Sequence, residues 1–118
     1  MKENRKKQPK VSTLFPSTPS KLKYRESTII LDRIAVDLEF PDAITTKIRN
    51  SLLTYYQTCS DPTFSEKTIV GIISHYLLSI NSYIYSVSTL AKHLNMSAAV
   101  LMRNRKKILK ELGIENPI

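Results

Sequence analysis

The sequence predicts an all-α protein of five helices. Two observations carry this. From about residue 27 onward, apolar residues recur at helical rather than alternating spacing. The 118 residues include only two glycines, too few for a turn-rich β fold or a glycine-rich phosphate loop, and neither G-x-G-x-x-G nor G-x-x-x-x-G-K occurs.

The first helix is expected over Ser27–Leu38. Ile30, Ile34 and Leu38 fall four residues apart, Ser27 or Thr28 can cap the start, and Phe40-Pro41 ends it because a residue before proline avoids the α region. The second is expected over Asp42–Thr58, initiated by Pro41, with Ile44, Ile48, Leu52, Tyr55 and Cys59 on one stripe. Segment 60–63 breaks it. The third runs from a Ser65 cap to Ile80. Ile69, Val70, Ile72, Ile73, Tyr76, Leu77, Leu78 and Ile80 leave it almost no polar face, so it is expected to be buried on all sides. A short fourth helix, capped by Ser88, contains Leu90, Ala91 and Leu94. Asn95 takes a left-handed turn. Ser97 caps a fifth helix that reaches Leu112, with Gly113 just past its end.

Residues 26–114 thus form one helical domain. Residues 1–25 carry three prolines and many small polar residues and are expected to be a disordered basic arm. The net charge of +8 is unevenly spread. Residues 1–25 carry +7, residues 26–96 carry −2 and residues 97–118 carry +3. Positive ends around a mildly acidic middle point to a polyanionic partner. Lys6 and Lys7, in the densest cluster of the arm, are candidates for phosphate contacts, and in a eukaryotic host the same cluster would suit nuclear import.

Other classes are disfavoured. Cys59 is the single cysteine, so no disulfide forms within the chain and no cysteine zinc site is available; a reducing, intracellular compartment suits it. No run approaches the roughly 20 apolar residues of a membrane span. The basic N-terminus lacks the apolar stretch of a secretory signal. His75 reads as a satisfied core histidine, and His93 faces solvent or phosphate. Tyr83 and Tyr85 read as core packing rather than base-stacking residues. No catalytic constellation is visible, and no cofactor or metal is expected.

The fourth and fifth helices have helix-turn-helix spacing: a cap, about seven residues, a turn, a second cap and a longer helix. The last helix holds Arg103, Arg105, Lys106, Lys107 and Lys110. With Leu101, Ile108 and Leu112 inward, its period turns Ala99, Met102, Arg103, Lys106 and Lys110 outward. Small residues at its start would let it sink into a major groove. Ser97 and the helix N-terminus can take a phosphate, and Lys92 on the preceding helix can meet the backbone. The plain alternative is a solvated helix face whose bases complement the helix dipole.

Residues 27–112 resemble one cyclin-like repeat of the transcription factor IIB family. The resemblance rests on the central segment SEKTIVGIISHYLLSI, on STLAKHLNMSAAVLMRNRKKILKEL with Arg103-Asn104-Arg105 before a Lys-rich helix, and on FPDAI as the turn into the second helix. It implies a five-helix cyclin-like bundle around a buried third helix. In that family the last two helices of the second repeat form a helix-turn-helix that reads promoter DNA beside the TATA box. By position, Ser97, Ala99, Met102, Arg103 and Lys106 would face the DNA. The family also binds the TATA-binding protein and RNA polymerase. The chain departs from it in having one repeat, no zinc ribbon and one extra residue between Ser97 and Arg103.

The expectation is a DNA-binding transcription regulator that docks its last helix on double-stranded DNA. The competing expectation is a module that binds the TATA-binding protein or RNA polymerase without reading DNA. RNA binding through the basic arm is a third reading, and an enzyme is the least expected.

Overall fold

The computed structural model describes residues 15–59 and 62–114. They form five α-helices: α1 (Thr18–Leu38), α2 (Asp42–Thr58), α3 (Glu66–Ile80), α4 (Val87–His93) and α5 (Ala98–Glu111). No strand occurs among the described residues.

Helix α1 begins nine residues before the expected start. Ser17, in extended conformation, accepts a hydrogen bond from the Ser20 amide, and Pro19 lies in the first turn, where its missing N–H costs nothing. Tertiary contacts hold the extra turns. Phe15 is buried and packs on Tyr24 at 5.4 Å between ring centres, and Tyr24 in turn meets Tyr56 at 6.4 Å. The Ser20 hydroxyl donates to the Cys59 carbonyl, and Lys23 Nζ donates to the carbonyls of Pro62 and Phe64. The disordered arm expected over residues 1–25 is therefore corrected for its last part. Lys21, Lys23 and Arg25 belong to a folded helix, because distant partners supply the packing that local composition does not suggest.

Helix α2 keeps the expected bounds, and Ile44, Ile48, Leu52 and Tyr55 are buried, joined by Tyr56. The Tyr56 hydroxyl shares a 2.8 Å hydrogen bond with Ser27 across α1 and α2, and burial pushes its phenol above the ordinary range. Helix α3 starts on the Ser65 cap and packs against each of the other four helices. Thr68–Ser74 are all buried, but Tyr76 and Leu77 are half-buried and Ile80 is exposed. Its burial on all sides is confined to Thr68–Ser74, and beyond them Leu78 alone of the helix is buried.

Four helix ends close on a left-handed residue: Glu39, Ser82, Asn95 and Gly113. In each, the next amide reaches back five residues, as from Phe40 to Ala35 and from Met96 to Ala91. Helix α4 is capped by Ser86, which accepts from the Thr89 amide, and not by Ser88. Tyr85 donates to the Leu38 carbonyl and stacks edge-on against Phe40, as core packing requires, whereas Tyr83 is exposed.

Candidate nucleic-acid interface

Helices α4 and α5 are joined by Leu94, Asn95, Met96 and Ser97. The Asn95 backbone (φ 57°) reverses the chain, and the Met96 amide donates to the Ala91 carbonyl. Ser97 then caps α5 by accepting from the Ala99 amide at 3.1 Å. Leu90, Ala91, Leu94 and Leu101 are buried between the pair and α3. Gly71 makes this docking close. A Cβ there would stand 2.8 Å from Leu94 Cδ1 and 2.9 Å from Leu101 Cδ2.

With Leu101, Ile108 and Leu109 buried, the opposite face of α5 is fixed in solvent. Ala99, Met102, Arg103, Lys106, Lys107 and Lys110 are all exposed on it, and Lys92 and Ser97 are exposed on the adjoining elements. The acid of this helix is Glu111, at its last position, so the exposed cations leave a positive surface aimed outward. Lys6 and Lys7 lie outside the described residues.

Arg105 is the exception among the expected contacts. It is half-buried, and its guanidinium lies over the Tyr76 ring at 6.0 Å. The reason is angular: Arg105 is one turn from Leu101 and Leu109, on the side turned toward α3. Its role in the site is packing rather than reaching outward. Beside it, His75 Nδ1 has no hydrogen-bond partner among the described residues, so the expected satisfied core histidine is corrected. Burial, and then the charge of Arg105, lower the His75 pKa from 6.5. The cleft between His75, Gly71, Met102 and Arg105 measures about 10 Å³, room for one water at most.

A second group is invisible to sequence reasoning. Arg33 of α1, Lys67 of α3 and His93 of α4, with Asn95, surround a cavity of about 120 Å³ at the turn. They are far apart in sequence, and no spacing rule joins them. No group of three or more metal-ligating side chains occurs among the described residues, and none of the described helices is long and apolar enough to cross a membrane.

No protein-family model matches the chain, and no curated protein or solved structure matches it.

Proposed function

We propose that the chain binds double-stranded DNA, with α4 and α5 acting as a helix-turn-helix and the exposed face of α5 laid in the major groove. The observation that carries this is the placement of Arg103, Lys106, Lys107 and Lys110 on the solvent side of a helix anchored by Leu101, Ile108 and Leu109. A rigid helix with small residues at its start and cations along one face suits groove entry and phosphate neutralisation together. Ala99 leaves room near the N-terminus for the approach of the bases. Arg103 and Lys106 are the side chains assigned to base edges or phosphates, and Lys107, Lys110 and Lys92 the ones assigned to the backbone. Lys67 extends the positive surface past the turn. The resemblance to a single cyclin-like repeat of the transcription factor IIB family favours the same end of the molecule and a role in transcription. In this reading the chain is a binding protein that needs no cofactor.

The test is a gel shift of mixed-sequence duplex DNA at two salt concentrations. Affinity is expected to fall steeply with salt, with a log–log slope of about −0.9 for each phosphate neutralised. Retention that ignores salt, or no shift at low salt, would overturn the reading.

A further inference from the structure

The solvent face of α1 carries a second pattern. Leu22, Ile29 and Val36 are 51%, 59% and 77% exposed, and they are spaced seven residues apart. At about 100° per residue they fall within a band of about 40° along some 21 Å of helix. Ser20, Ser27, Leu31 and Ile34, buried against the rest of the fold, lie roughly 140–180° from that band. An apolar seam with a heptad repeat thus runs along the outside of the longest helix. Isolated exposed apolar residues are ordinary, but here three fall in line, filling one of the two apolar positions per heptad that a helix pair uses, while charged residues hold the positions between them.

The charges beside the seam say what fits it. About Ile29 the sequence is symmetric: Arg25 and Glu26 on one side are mirrored by Asp32 and Arg33 on the other, and Leu22 by Val36. All four charged residues are exposed. When two copies of α1 lie antiparallel with their Ile29 residues adjacent, the two-fold axis sets Leu22 beside Val36. On a helical wheel Arg25 and Asp32 fall on one flank and Glu26 and Arg33 on the other. Rotation about the axis then brings Arg25 beside the second copy's Asp32, and Glu26 beside the second copy's Arg33. Each contact occurs twice. Asp32 accepts a 2.9 Å hydrogen bond from Arg49 yet keeps 60% of its side chain exposed, which leaves an oxygen for a second cation.

The ends of the helix set the direction. Lys21 and Arg25 lie toward its start, and Asp37 and Glu39 at its close. An antiparallel pair lays the basic end of one copy beside the acidic end of the other and opposes the two helix dipoles. A parallel pair also matches charges near Ile29, Arg25 with Glu26 and Asp32 with Arg33, but it sets basic end on basic end and acidic end on acidic end.

From this complementarity we infer that α1 is a self-association surface and that its occupant is a second, antiparallel copy of the same chain. A C2 contact must use one patch against itself, and this patch matches itself in both apolar spacing and charge. A single helix pair is a small interface, so association is weak and concentration-dependent. The dimer presents two copies of α5, and its formation is independent of what α5 binds.

The experiment is sedimentation velocity of the full chain without nucleic acid, over roughly 10–300 µM, the range suited to a small interface. A monomer–dimer equilibrium is expected. Ile29→Glu is expected to leave a monomer with unchanged circular dichroism. Arg33→Glu, which sets a new carboxylate against Glu26 of the second copy, is expected to raise the dissociation constant about tenfold or more. Adding Glu26→Arg to it restores opposite charges and is expected to restore association. A wild-type chain that stays monomeric throughout overturns the inference. A double variant as weak as Arg33→Glu alone overturns the antiparallel pairing, since in a parallel pair the two introduced charges would face Arg25 and Asp32, each of like sign.

Discussion

The guanidinium carbon of Arg105 on α5 lies 6.0 Å from the centre of the Tyr76 ring on α3. The contact ties the basic helix to the central one and sets a fixed positive charge near His75, whose pKa it helps to lower. Arg105→Ala is therefore expected to act on the fold. It should cost about 1 kcal/mol of stability, between the values for an exposed and a desolvated cation–π contact. It should also raise the His75 pKa toward its ordinary value, as read from the imidazole proton shifts in an NMR titration. A variant with full stability and an unchanged His75 titration would contradict this.

Arg103→Ala and Lys106→Ala are expected to do the reverse. Both residues are exposed, so thermal stability should change by less than about 0.5 kcal/mol. Duplex binding should weaken, and the salt slope should shrink by about one for each phosphate no longer neutralised. Fluorescence anisotropy across a salt series measures both. If Arg105→Ala weakens binding more than Arg103→Ala at equal folded fraction, the outward assignment of the α5 face fails.

Gly71→Val tests the docking of the α4–α5 pair. The added carbons would collide with the Leu94 and Leu101 side chains, which lie within 3 Å of the position of a Cβ. Overpacking of this kind costs about 1–3 kcal/mol, so the denaturant midpoint should fall clearly. A companion change, Leu101→Ala, should recover part of the loss by vacating the space. Additive losses in the double variant would show that the two sites do not share that space.

His75 predicts the direction of a pH effect. Its imidazole releases its proton at a lower pH in the folded chain than the 6.5 of the unfolded chain. Around and below pH 6.5 the unfolded chain holds more protons, so stability falls as the pH drops through 6.5 toward the folded value. The stability is fully present above this window. Urea midpoints at about pH 7.5, 6.5 and 5.5 should decline, and the decline should be smaller in His75→Gln. Equal slopes in the two proteins would exclude His75 as the source.

Much of the fold is legible in the sequence because its signals are local. Pro41, the Ser65 cap, Asn95, the Ser97 cap and Gly113 each act within a turn or two of their own position, and the elements they bound lie at the expected places. The cationic face of α5 is legible for the same reason, since the helical period alone separates Arg103 and Lys106 from Leu101 and Ile108. The cap of α4 lies two residues from the expected one because Ser86 and Ser88 offer the same chemistry, and packing of Leu90 and Ala91 chooses between them. The start of α1 is hidden because Ser17, Thr18 and Pro19 look like breakers until Phe15 packs on Tyr24 and Lys23 finds partners on the loop before α3.

The sequence by itself determined the helical class, the central position of α3 and the sign of charge on α5, because periodicity and backbone preference are properties of neighbours in the chain. Only the tertiary structure decided that Arg105 turns to Tyr76, that Arg33, Lys67 and His93 gather around one cavity, and that Leu22, Ile29 and Val36 stay outside. Those outcomes depend on which helix faces fill the core, and burial and Coulomb interactions act through space, between groups that the chain order keeps far apart.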